Sequence, residues 1–147
     1  MIARAAIFAE HMGELRILLV KSSSGTRYVY PGGHTKHGET VTAAARRETS
    51  EEAGYTPVGW GERSEAYHGK DGPVEMVVFK GAYCSGTGER EARWYPLEAA
   101  ERMLRLERSP GEGDAMVKAM WAAVKRYRGE TGPDAVPVTP RVIPPPC

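Results

Sequence analysis

GHTKHGETVTAAARRETSEEAGY, running from Gly33 to Tyr55, is the stretch from which the rest of the chain is best read. Between Thr40 and Ala53 it contains no Gly or Pro, alanines and charged residues dominate, and Gly54 follows as a left-handed stop, so a helix is predicted over 40–53. Positions three and four apart share a helix face, which puts Glu48, Glu51 and Glu52 within an arc of about 100°. Three carboxylates then occupy one patch in the C-terminal half of the helix, where the macrodipole already presents negative partial charge. The i, i+4 pair Glu48 and Glu52 adds its own repulsion. A divalent cation seated among them relieves both penalties. Arg47, one turn before Glu51, is placed to neutralise part of the cluster and fix its rotamers. Taken out of context, the same glutamates are an ordinary solvated helix face.

Working outward, Ile2 to Ala9 and Leu15 to Val20 are short apolar runs separated by His11 to Glu14, a pattern of two strands and a turn. Ser22 to Thr26 is a loop, Tyr28 to Tyr30 a brief strand ended by Pro31, and Pro31-Gly32-Gly33 a backbone hinge that permits close approach to a ligand. Beyond the helix, Tyr55 to Gly61 and Val74 to Cys84 are β-rich, and Arg93 to Tyr95 predicts one more strand. Pro96 opens a helix whose apolar face is Leu97, Ala100, Met103, Leu104 and Leu106, and a last helix runs from about Asp114 to Tyr127. Strands followed by helices, with one helix inserted mid-sheet, give an α/β or α+β sandwich.

A chain of 147 residues suffices for one globular core. The formal charge of +1 comes without blocks of like charge, so generic nucleic-acid or membrane-surface binding gains no support. The longest aliphatic run, Ile17 to Val20, is far short of a bilayer span, and Arg4 would lie inside any signal-peptide core. Cys84 and Cys147 form neither a disulfide framework nor a zinc-ligand spacing, which makes a reducing cytoplasm the expected location. From Gly129 onward hydrophobic periodicity is lost, and six of the eleven prolines fall between Pro133 and Pro146. Residues 129–147 are therefore expected to be a flexible tail on a domain spanning 1–128.

The stretch quoted above also resembles the Nudix box, at Gly33, Glu39, Arg47, Glu48, Glu51, Glu52 and Gly54, all at the family's spacing. With a residue frequency of about 7%, seven coincidences at a given start occur by chance on the order of 10⁻⁸, so the motif is specific. The sequence departs from the box at Thr49 and Tyr55, where the family has a bulky aliphatic residue, and at Arg46, which is often apolar. Those departures bear on packing more than on chemistry. The resemblance implies an α/β/α sandwich with a mixed central sheet.

It also implies that Glu48, Glu51 and Glu52 bind Mg²⁺ or Mn²⁺ with a backbone carbonyl near Gly32. Arg47, Glu48 and Glu51 become the catalytic candidates, with Glu48 the first choice for general base and Glu89 or Glu91 as acids from a later loop. Glu39 is expected to support the loop and helix start by hydrogen bonding. The segment Pro31-Gly32-Gly33-His34 looks like the start seen in Nudix enzymes acting on dinucleoside polyphosphates. His34 is a candidate phosphate contact, with a plain loop residue as the alternative, and Tyr28, with Tyr30, Tyr67 and Trp94, a candidate for stacking on a base.

Three readings follow. One is metal-dependent hydrolysis of a diphosphate linkage in a nucleoside polyphosphate or related nucleoside diphosphate derivative. A second, of the same chemistry, is a housecleaning hydrolase of damaged nucleoside triphosphates. The third is a non-catalytic nucleotide-binding sensor, since a fold alone does not set function. A small-molecule nucleotide is the expected partner, and the oligomeric state is open, with a homodimer among the options.

Overall fold

The computed structural model describes residues 1–23 and 25–129; the proline-rich tail foreseen at 129–147 lies, from Glu130 on, outside the described residues. Its frame is a mixed sheet. Strands β1 (Ile2–His11) and β2 (Glu14–Lys21) form the antiparallel hairpin read from the sequence, and β3 (Tyr28–Val29) pairs with β2. The Pro-Gly-Gly hinge continues as a short strand, β4 (Gly32–His34), laid antiparallel on β1 with Arg4 opposite Gly32. Helix α1 (Val41–Ala53) follows. Its Thr40 hydroxyl accepts the Ala43 N–H, and Gly54, at φ 73°, donates its N–H to the Ser50 carbonyl, so both ends are capped as the local sequence dictates.

After α1 the chain is more broken than its composition foretold. Of the β-rich run 55–61 only β5 (Tyr55–Pro57) is a strand. The run 74–84 divides at Lys80 and Gly81 into β8 (Gly72–Phe79) and β9 (Ala82–Cys84), because β8 lies parallel to β1 while β9 leaves to pair with β5. Two further strands, β6 (Glu62–Arg63) and β7 (Tyr67–Gly69), lie on the other side of β8 and carry no apolar pattern of their own. Strand β10 (Ala92–Pro96) edges β2.

Helices α2 (Leu97–Arg105) and α3 (Pro110–Tyr127) close the chain; α3 starts four residues earlier than read, because Ser109 caps it and Pro110 suits the first turn. Leu106, expected on the apolar face of α2, is its C-cap and lies exposed.

Alternation along β1 and β8 sorts the core into two layers. Ala5, Ile7, Val77 and Phe79 face α1, whose Arg46 guanidinium lies 5.1 Å over the Phe79 ring. On the other face, Phe8 meets Tyr127 of α3 with ring centroids 5.0 Å apart. Helices on both faces of a mixed sheet make the α/β/α sandwich expected. The two unusual helix positions are accommodated locally. Buried Thr49 satisfies its hydroxyl on the Ala45 carbonyl at 2.7 Å, and Tyr55 packs edge-on against Trp94. Arg46 donates to the Pro57 and Gly59 carbonyls, so a charge at an often apolar position instead ties down the loop after β5.

Candidate active site

A cleft of about 660 Å³ opens where β4 meets the C-terminal half of α1. Gly32, at φ 155°, lies so close to β1 that a Cβ would stand 2.0 Å from the Ala3 carbonyl oxygen. Beside it, a Cβ on Gly33 would fall 2.8 Å from the Glu48 carboxyl carbon. Only glycine lets the two backbones and the carboxylate share this space.

Glu52 is the buried member of the triad, 4% exposed, with one oxygen accepting the Gly32 N–H at 3.0 Å and the other 3.6 Å from the Arg90 guanidinium. Burial raises its pKa, opposed by the Gly32 hydrogen bond and by Arg90 and Arg4. Glu48 lines the same cleft and accepts from Arg47 Nη1 at 2.9 Å. Glu51 does not line it: its side chain is 45% exposed and lies 3.3 Å from Arg47 Nη1.

Arg47 is the hub. It grips Glu39 with two parallel bonds of 2.8 and 2.9 Å, reaches Glu48 and Glu51, and donates to the His34 carbonyl at 3.3 Å. Glu39 in turn accepts the Lys36 N–H, and the Arg47 fork, with that backbone bond second, holds its pKa down at about 2. Glu39 therefore fastens the loop to α1 and does not line the cleft.

His34 lines the cleft and is exposed, within reach of a ligand. Tyr28 is placed elsewhere: it is buried, its hydroxyl bonds to Glu91, and its ring meets Tyr95 edge-on. Of the other aromatics, Tyr30 is buried with its hydroxyl on the Met116 carbonyl, Trp94 packs on Tyr55, and only Tyr67 reaches the cleft. Neither later-loop acid lines it. Glu91 is engaged by Tyr28 and Arg93, and Glu89 is exposed, while its backbone N–H donates to the Glu51 carbonyl.

Two basic residues escaped the sequence reading. Arg4 interrupts an apolar strand, and its guanidinium donates to the Tyr30 and Gly32 carbonyls while its Nε is buried without a partner. Arg90 follows Gly88, which packs so tightly on α1 that a Cβ would stand 2.4 Å from the Glu52 carbonyl oxygen. A charge inside an alternating apolar strand was the available signal for Arg4. Nothing local marked Arg90.

The donor set of Glu48, Glu52 and the Gly32 carbonyl is all oxygen and fits a hard divalent cation; the carbonyl also accepts from Arg4 Nη1 at 3.3 Å and has a second lone pair, and Gly33, without a Cβ, leaves room for the Glu48 carboxylate. No cluster of three or more metal-binding side chains is preassembled among the described residues.

An all-oxygen pair of carboxylates on a helix, against a glycine strand at a sheet edge, defines a small α/β/α domain built around an acidic helix-and-loop motif. Comparison with known proteins identifies the family: the NUDIX domain family model matches residues 1–119, and the chain belongs to the Nudix family. It is 30% identical over 130 residues to "Nudix hydrolase 16, mitochondrial" of Arabidopsis thaliana, covering 79% of this chain and 72% of that protein. Among solved structures, a C. elegans Ap4A hydrolase aligns at TM-score 0.51 and 25% identity, covering 69% of this chain and 83% of the other. The NUDIX domain of Shewanella oneidensis NrtR, complexed with ADP ribose, aligns at TM-score 0.61 and 18% identity over 85% and 86% of the two chains, a likeness of fold. Among the described residues no helix is long and apolar enough to cross a membrane.

Proposed function

We propose that the protein hydrolyses a diphosphate linkage in a nucleoside polyphosphate or a related nucleoside diphosphate derivative, with Mg²⁺ or Mn²⁺ held by Glu48, Glu52 and the Gly32 carbonyl. The observation that carries this reading is the pair Glu48 and Glu52 converging on Gly32 and Gly33 inside a cleft otherwise rich in arginine and lysine. Carboxylates for a cation beside guanidiniums for phosphate are the two halves of a phosphoryl-transfer site.

A bound cation would supply charge for the phosphoryl oxygens and a water of lowered pKa. Glu48 faces the cleft and takes the proton of the attacking water, with Arg47 fixing its orientation. The water oxygen bonds to phosphorus, the anhydride P–O bond breaks, and the departing phosphate carries away the bond's electron pair. Glu51, turned to Arg47, serves as a further ligand only after its side chain swings from that partner. His34 contacts a phosphate of the substrate.

Turnover of a nucleotide panel with magnesium, read by chromatography of the products, tests the proposal. Loss of turnover in Glu52→Gln is the expected result; unchanged turnover in that variant, or none with the unaltered protein, counts against it. The departures from the family's pattern at Arg46, Thr49 and Tyr55 motivate a second reading, a nucleotide sensor. Tight nucleotide binding that survives chelation without turnover would select the sensor.

A further inference from the structure

Away from the glutamates the cleft has a second charged end. Its lining counts seven arginine and lysine side chains against four carboxylates, on a chain whose net charge is only +1. Two of the seven, Arg27 and Arg108, belong to the place where the loop after β2 meets the link between α2 and α3.

That meeting is built. Ser22 N–H closes on the Arg27 carbonyl at 2.7 Å, and the Thr26 hydroxyl donates to Glu107 at 2.6 Å. Arg108 donates to the Leu104 carbonyl at 2.7 Å and to the Tyr28 carbonyl at 2.9 Å, and its Nε lies 3.3 Å from Glu112. The Arg108 side chain is 4% exposed, so its position is set by packing. Glu107 adopts φ 59°, a left-handed conformation unfavourable for glutamate, and its carboxylate and Arg108 both reach the limb of the loop that leads into β3, at Thr26 and Tyr28. The result brings Arg27 to Arg108. Arg27 is half-buried and lines the cleft; its backbone carbonyl accepts the Ser22 N–H, while its side chain makes no hydrogen bond or ion pair among the described residues. Burial and then the charge of Arg27 hold the Arg108 pKa below its ordinary value. Tyr67 flanks the pair, its ring 6.3 Å from that of Tyr30.

Both arginines line the cleft, and Glu112 pairs with Arg108 alone, so the charge of Arg27 is left for an anion to meet. We propose that Arg27 and Arg108 form a second anion subsite, which takes a phosphate of the substrate remote from the bond that is cut. The inference rests on the hydrolase reading for its account of the glutamate end, and it narrows the substrate to compounds carrying a phosphate beyond the scissile diphosphate. Arg27 is separated from Gly32 by at most about 17 Å of extended chain, so the remote phosphate is reached across a nucleoside-sized spacer or along a phosphate chain.

Two pairs of compounds test it, each pair sharing an adenosine 5′-diphosphate unit, with the first member of each carrying further phosphate. NADPH against NADH probes a phosphate on a sugar, and adenosine tetraphosphate against ADP probes the end of a chain. Affinities are measured by calorimetry in EDTA, where turnover plays no part, and kcat/KM is measured with magnesium. The unaltered protein is expected to prefer the more phosphorylated member of at least one pair by roughly tenfold, and whichever pair shows it names the source of the phosphate. Arg27→Ala should erase that preference and Arg27→Lys should keep part of it. Equal affinities within both pairs, or a preference that persists in Arg27→Ala, would overturn the subsite. Absence of turnover with the binding preference intact would instead remove the hydrolase reading and leave the subsite standing.

Discussion

Glu52 carries two opposed demands, a buried position and a negative charge. Its pKa is raised by burial, so the native state holds that proton more tightly than the unfolded chain does. Ionisation of Glu52 therefore costs stability as pH rises above the ordinary carboxylate range. Removing the charge should reverse this. In EDTA, Glu52→Gln is expected to have a higher Tm than the unaltered protein at pH 8, with a smaller gain at pH 5, and to lose any rise in Tm that magnesium gives the unaltered protein. A lower Tm for the variant at pH 8 would show that the Gly32 and Arg90 contacts outweigh desolvation. Glu39 runs the other way. Its pKa lies at about 2 rather than the ordinary 4.5, so its contribution is present above 4.5 and lost as pH falls toward 2. Urea unfolding at stepped pH should show that loss for the unaltered protein and a flatter profile for Glu39→Gln.

At its C-terminus helix α1 is held by tertiary contact as well as by its Gly54 cap. The loop after β9 donates two backbone N–H groups to it, from Glu89 to the Glu51 carbonyl and from Arg90 to that of Glu52. Gly54 is left-handed at φ 73°, and a Cβ there would meet the Gly86 carbonyl oxygen at 2.4 Å. Alanine at Gly54 or at Gly88 should destabilise the protein by about 2–4 kcal/mol, measured by urea unfolding, because a turn and a backbone approach are lost together. By contrast Thr49→Val removes only a local back-bond and should change stability by less than about 1.5 kcal/mol.

The same contrast explains what could be read beforehand. Helix α1, with its Gly54 stop, is specified by neighbours within a few residues and was legible but for Thr40, read as its first residue and found to be its cap. Strands β6 and β7 exist because β8 offers them an edge, so Glu62–Arg63 and Tyr67–Gly69 carry no pattern by which to find them. Tyr28 looked like a stacking residue from composition alone. The turn of β3 carries it instead onto Glu91 and Tyr95.

For the molecule as a whole, a net charge of +1 conceals an uneven distribution, with the cleft more basic than the chain. Capture of a polyanion there should weaken with salt, so KM is expected to rise roughly 3- to 10-fold between 50 and 500 mM KCl at constant free magnesium, with kcat changing less. A KM indifferent to salt would mean that the basic lining does not meet the substrate. The amino-acid sequence determined the acidic helix, its Gly54 stop, the β1–β2 hairpin and the family, since each rests on spacing along one local stretch. The tertiary structure alone determined which charges face one another: Glu52 with Arg90, Arg47 with Glu39, and Arg27 with Arg108, pairs from 8 to 81 residues apart in sequence. Coulomb energies and desolvation depend on distance in space and on burial, and neither is set until strands remote in sequence have paired.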